Sequence, residues 1–210
     1  MMRKMSGCVL ALLVLIVCTA RADVRLPKVF SDHAVLQRAL PLVVWGWAEA
    51  GEKVKVAIGG QTKSTTTEAN GTWRVTLAPL KGTAPLEMVV TGKNTVTIKD
   101  LLVGDVWICS GQSNMEWGLG GSDNGRETIA AATNSKIRLL NVNAGQFNEP
   151  QMDIGNTWTE CNPQTVGGFS AVGYFFGRTI QQETGVPIGL IAYAWGGTAI
   201  EPWTSPSAWN

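Results

Sequence analysis

One histidine, His33, stands in a chain of 210 residues, and the cysteines number four: Cys8, Cys18, Cys109 and Cys161. No His/Cys grouping at zinc spacing results, so the sequence predicts no metal centre, and no cofactor motif is present. Charged residues make up only 16 % of the chain and the formal net charge is +1. That balance provides no basic face for nucleic acid and no charged patch for a membrane surface. The apolar run Val9 to Val17 falls well short of the roughly 20 residues that a spanning helix needs. Repeats and low-complexity tracts are absent too, and nothing in the sequence fixes an oligomeric state.

That run has a different meaning. Arg3 and Lys4 precede it, and Ala20-Arg21-Ala22 follows with the small-x-small form of a cleavage site. Residues 1–22 are predicted to be a secretory signal cleaved near Ala22, giving a secreted or periplasmic protein. A lipid anchor at Cys18 is not expected, because Val17 stands where a small residue is wanted. Loss of the leader removes Cys8 and Cys18. Cys109 and Cys161 then read either as a disulfide of an oxidising compartment or as two buried small apolar residues.

From Asp23 to about Leu101 short strand-like runs dominate: VVWGW (43–47), KVKVAI (53–58), TWRVTL (72–77), LEMVV (86–90) and TVTIKD (95–100). Turn signals such as Gly-Gly and Asn-Gly separate them, and alternation in KVKVAI and TWRVTL predicts half-buried antiparallel strands. The expectation is a β-sandwich over 23–101. Asn70-Gly71-Thr72 matches a glycosylation sequon but reads as a hairpin turn. Beyond Leu101 the pattern changes to near-continuous apolar runs, VGDVWICS (103–110), IRLLNV (137–142) and PIGLIAYA (187–194), which suit parallel strands covered on both faces. Residues 169–184 carry helical spacing, with Ser170 as N-cap and Gly185 as stop. An α/β layer over 102–210 is predicted.

Two segments in that layer carry chemistry. In SGQSNM (110–115) a strand ends in Gly-x-Ser, where Gly111 turns the backbone and Ser113 meets the N–H groups of a following helix. The alternative is an ordinary loop containing serines. In YAWGGTAIEPW (193–203), Gly196 and Gly197 follow another strand and present backbone N–H groups, or form a plain glycine turn. Sites in open α/β sheets lie beyond the carboxyl ends of strands, where both segments fall.

Together SGQSNM, VPIGLI (186–191) and WGGTAIEPW (195–203), with SDHAVLQR (31–38), VVWGWAEAGEKVKV (43–56) and LLVGDVW (101–107) upstream, resemble the sialate O-acetylesterases, members of the SGNH-type hydrolases related to the GDSL esterases. The resemblance implies a flavodoxin-like parallel sheet for 102–210 and an O-acetylated carbohydrate, sialic acid or a relative of it, as substrate. It makes Ser113 the nucleophile that forms an acetyl-enzyme. The N–H of Ser113, with that of Gly197 or Gly196, would form the oxyanion hole. Trp117, Trp195 and Trp203 flank this site as candidate sugar-binding surfaces, whereas Trp45, Trp47, Trp73 and Trp107 are expected in the core.

The resemblance also implies an Asp-x-x-His block that supplies the base, and a further polar oxyanion donor in a middle block. Neither is found. His33 lies in the sandwich half and reads as a structural histidine. Three candidate parallel strands follow residue 101 where such a sheet has about five, so the chain is expected to be the N-terminal portion of a longer esterase, inactive by itself. A non-catalytic carbohydrate-binding or structural module is the competing reading. A glycosidase is disfavoured, because Glu116, Asp123, Asp153 and Glu201 form no acid and nucleophile pattern.

Overall fold

The computed structural model describes residues 23–143, 145, 147, 149–205 and 208. The leader expectation, including Cys8 and Cys18, lies outside the described residues. Alternation builds the first layer. In β3 (Lys53–Ile58) Val54, Val56 and Ile58 point inward, and in β5 (Thr72–Leu77) Trp73, Val75 and Leu77 do so. β5 pairs only with β2 (Leu42–Trp47), as a two-stranded antiparallel sheet. This pair shares one core with β3, β6 (Leu86–Thr91) and the first half of β7 (Thr95–Gly111), through Val44, Val54, Trp73, Met88, Val90 and Ile98.

The expected boundary near residue 101 falls inside one strand. β7 is 17 residues long and changes partners as it runs. Its first half is antiparallel to β6, residues 102–104 lie parallel to β1 (Val35–Gln37), and residues 105–111 lie parallel to β10 (Ile188–Ala194). The result is an eight-stranded mixed sheet in the order β4-β3-β6-β7-β10-β8-β9, with β1 beside β7. Here β4 is Gln61–Thr66, β8 is Asn134–Asn141 and β9 is Thr159–Cys161. The apolar runs of the second half become three mutually parallel strands, β7, β10 and β8.

One helix of two turns or more is present among the described residues of this half. α3 (Ala171–Thr184) is capped by the Ser170 side chain, which accepts from Gly173 N–H, and ends at Gly185 with φ 69°. It packs close because Gly177 faces Leu190 and Gly173 faces the Cys109 sulfur, each with room for no side chain. The shorter α1 (Ser113–Glu116) and α2 (Gly125–Ala130) precede it. No described helix is long and apolar enough to cross a membrane.

Several expectations are corrected. The sheet is not covered on both faces by described helices: Ile108, opposite in parity to buried Cys109, stays 74 % exposed beside the 142–155 loop. Trp107 is also not a core residue; it is 43 % exposed and meets Phe176 edge-on. Asn70-Gly71 does form a turn, with Asn70 Oδ1 accepting from Thr72 N–H, but it is no hairpin: it joins β4 to β5, which pair with different strands. Cys109 and Cys161 are free, buried thiols. β10 and β8 stand between their strands, a spacing of roughly 14 Å that a disulfide cannot bridge. Burial pushes the Cys161 thiol up to about 11.

The bend of β7 is at Asp100, a non-glycine residue with φ 54°. Arg138 of β8, 2 % exposed, donates to Asp100 at 2.6 Å and to the Ser135 carbonyl at 2.9 Å, and lies 3.3 Å from Glu160 of β9. His33, also in the left-handed region at φ 68°, places Nδ1 2.7 Å from Asp100 and 3.0 Å from Arg138. His33, Asp100 and Glu160 cluster as metal ligands can, but the guanidinium already supplies the positive charge among them. Replacing Arg138 by Ala is expected to lower stability by about 1–3 kcal/mol in urea unfolding, since it removes the charged donor of partly exposed Asp100 and Glu160. Burial alone would raise the Asp100 pKa, but hydrogen bonds from Arg138 and His33 outweigh it and hold the carboxyl below its ordinary value. A carboxylate depressed on folding stabilises the fold above its unfolded pKa, and that contribution is lost as pH falls through the folded value. Stability should therefore fall below about pH 4 in the native protein, and by less in Asp100→Asn.

Candidate active site

β7 ends at Gly111, φ 149°, where an added Cβ would lie 2.9 Å from the Met115 side chain. Only glycine permits the strand to turn directly into α1. Gln112 caps that turn, its Oε1 accepting from Ser113 N–H at 3.1 Å and from the Ser113 hydroxyl at 2.7 Å. Ser113 is exposed to solvent at the carboxyl edge of the sheet. Because α1 is a single turn, its contribution is a few oriented N–H groups rather than an extended dipole.

The second segment arrives through sheet register. Ala194, the last residue of β10, pairs with Gly111, and Trp195 N–H donates to the Gly111 carbonyl at 3.0 Å. Gly196 follows: a Cβ placed on it would be 3.4 Å from Ser113 Oγ and 2.5 Å from Glu116 Oε2. Its N–H donates to that Glu116 oxygen at 2.6 Å. Gly197 has φ 77°, open space where a side chain would go, and an N–H without a partner among the described residues. Trp203 closes the turn, donating from Nε1 to Thr198 Oγ1 at 2.8 Å and meeting Tyr193 edge-on. Beside Ser113 a cleft of about 390 Å³ opens, walled by Gly111, Gln112, Thr198, Ile200 and Trp203 among others.

The structure thus brings together Ser113, Gly196, Gly197 and Trp203 from segments some 80 residues apart. Trp117 (59 % exposed) and Trp195 (36 % exposed) lie nearby, and like Ser113, Gly196 and Gly197 they are not among the residues that wall that cleft. His33 is not brought in. From its partner Asp100 to Ser110 the strand extends about 33 Å. Two polar residues at the site were not singled out from sequence. Gln112, inside SGQSNM, engages its own neighbour Ser113, and Glu116, which forms no glycosidase pattern, finds its partner only once the sheet register is known.

Comparison with known proteins gives the chain's relatives. The family model described as "Carbohydrate esterase, sialic acid-specific acetylesterase" matches residues 103–209. The sialate O-acetylesterases of Homo sapiens and Pongo abelii are each 34 % identical to this chain, covering 95 % of it and 42 % of their own length. The chain therefore spans less than half of these relatives. The crystal structure of a carbohydrate acetylesterase from Xanthomonas citri superposes with a TM-score of 0.85 at 36 % identity, over 88 % of this chain and 43 % of that one.

The Gly196 N–H to Glu116 bond has a direct readout. Glu116→Ala should raise the hydrogen-exchange rate of the Gly196 amide at least tenfold, an opening of about 1.4 kcal/mol, while amides inside α3 keep their protection. Unchanged exchange at Gly196 would mean that Glu116 does not hold the turn.

Proposed function

This chain belongs to the carbohydrate esterase family of sialic acid-specific acetylesterases, and from that premise we propose that it removes O-acetyl groups from sialic acid or related acetylated carbohydrates, with Ser113 as nucleophile. The observation that carries the reading is the meeting of the Ser113 hydroxyl with the Gly196-Gly197 turn at the carboxyl ends of adjacent parallel strands. Ser113 Oγ bonds to the acetyl carbonyl carbon and gives its proton to a base. The bond from that carbon to the sugar oxygen breaks, and the sugar oxygen takes up a proton as it leaves. Water then cleaves the acetyl-enzyme by the same route. Charge on the carbonyl oxygen is met by the N–H groups of Ser113 and Gly197; Gly196 is the weaker candidate because its N–H is committed to Glu116.

The base is not His33, which Asp100 and Arg138 hold at the far end of the strand. The 210-residue chain on its own should therefore hydrolyse acetyl esters no faster than background. We read residues 1–22 as a removed signal, so that the protein acts outside the cytoplasm. Residues 23–101 we read as a β-sandwich module and 102–210 as part of an SGNH-type hydrolase domain; a core drawn from residues 109–192 alone supports that division, while the other core is built mainly from 24–101 and also takes in Val103, Leu140 and Trp158.

Chemical rescue tests the assignment of Ser113. With an O-acetylated sialic acid as substrate, added imidazole should raise acetate release by the native chain and leave an acetyl group on Ser113 detectable by mass spectrometry. Ser113→Ala should show neither effect. Acetate release that survives Ser113→Ala, or no acetylation of Ser113 in imidazole, would overturn the proposal.

A further inference from the structure

Among the described residues, Glu116 is the side chain that joins the two turns of the candidate site. Its Oε2 accepts from Gly196 N–H at 2.6 Å across 80 residues of sequence, and neither Gly196 nor Gly197 makes another hydrogen bond among those residues. Two consecutive glycines carry more backbone freedom than any other pair, so a turn built on them keeps one geometry only where bonds from outside hold it. On its strand side the turn is held by Trp195 N–H, which donates to the Gly111 carbonyl at 3.0 Å. On its far side the Thr198 hydroxyl donates to the Trp195 carbonyl at 2.8 Å and accepts from Trp203 Nε1. Between these points only Glu116 reaches in.

The carboxylate is carried on backbone that is itself fixed. Glu116 N–H donates to the Gln112 carbonyl at 3.1 Å, and Trp117 N–H donates to the Ser113 carbonyl at 3.0 Å. The Trp117 carbonyl accepts from Ala171 N–H, at the start of α3, at 2.8 Å. Glu116 and Ser113 therefore sit on one hydrogen-bonded turn that α3 holds in place. Gly196 is what lets the carboxylate approach, because a Cβ there would lie 2.5 Å from Glu116 Oε2.

We propose that Glu116 is a positioning residue for acyl transfer: by holding Gly196 it aims the Gly197 N–H at the carbonyl oxygen of an ester bound at Ser113. The role rests on the esterase reading of Ser113. Glu116 takes no proton in it and touches no reacting atom. Its bond to Gly196 exists before the ester arrives, so the Gly197 donor is already oriented when negative charge develops, and no reorganisation is needed at that moment. A glycine pair released from Glu116 must order itself in the transition state. That slows transfer without changing how tightly the ester binds. A glutamine amide oxygen can accept from the same N–H, so the role needs the acceptor oxygen and not its charge.

Imidazole-assisted acetylation of Ser113 by an O-acetylated sialic acid, followed by mass spectrometry over a range of ester concentrations, yields a limiting rate and a half-saturating concentration. Glu116→Ala, at an exposed position, should lower the limiting rate about fivefold to tenfold and move the half-saturating concentration less than about twofold. Glu116→Gln should bring the limiting rate back to within about threefold of native. A Glu116→Ala chain acetylated at the native rate, a Glu116→Gln chain as slow as Glu116→Ala, or a loss confined to the half-saturating concentration would overturn the role of Glu116 and leave Ser113 as the nucleophile. No acetylation of Ser113 in the native chain would overturn the esterase reading itself, and the role of Glu116 with it.

Discussion

The guanidinium of Arg138 sits where β7 changes from an antiparallel to a parallel strand, and its bonds to Asp100 and Glu160 tie three strands to that point. A left-handed backbone at a residue with a side chain costs about 1–2 kcal/mol, and both Asp100 and His33 adopt it. The charge-assisted bonds among Asp100, Arg138 and His33 offset that strain, so the bend and the ion pair depend on each other. Everything downstream inherits the register of β7. Because Ala194 pairs with Gly111, the Gly196-Gly197 turn lands beside Ser113; a slip of one residue would turn the side chains of that strand to the opposite face.

Much of this fold was legible wherever burial is one-sided. Lys53–Ile58 and Thr72–Leu77 alternate cleanly, and both are strands over those bounds. β4 was missed because Gln61–Thr66 is a polar edge strand with no buried residue, so no apolar period marks it. β1 is only three residues long. The composition shift near residue 101 coincides with the point where β7 changes neighbours. Ile108 has a related cause: an apolar run reads as two-sided burial, and only the layering shows that its face of β7 lacks a described helix, whereas Trp107 lies on the α3 face, partly exposed against Phe176.

At the site, Ser113 and the two glycines follow strand-like runs, but it is the resemblance of their blocks to a known family, rather than spacing alone, that singles them out in the sequence. Their coordination is not legible there. Glu116 reaches an N–H that lies 80 residues further along the chain, and Gln112 engages its own neighbour. Neither relation has a periodic or compositional signature. His33 could be read as structural only because its motif was distant from Ser113; the actual reason, a shared hydrogen-bond network with a buried arginine, needs coordinates.

Those two side chains also define what the proposed reaction must rearrange. With Glu116 bound to Gly196, a carboxylate sits next to the place where negative charge would develop, which disfavours that charge unless other donors face it. Gly197 has its N–H free among the described residues, but Ser113 N–H is held by the Gln112 amide. An oxyanion is a stronger acceptor than an amide carbonyl, by roughly a factor of two in hydrogen-bond strength. Transfer of the Ser113 N–H from Gln112 to the developing oxyanion is therefore downhill only as the charge appears. The same oxygen of Gln112 releases the Ser113 hydroxyl once Oγ has bonded to carbon, so one side chain restrains both groups in the resting state and neither in the transition state.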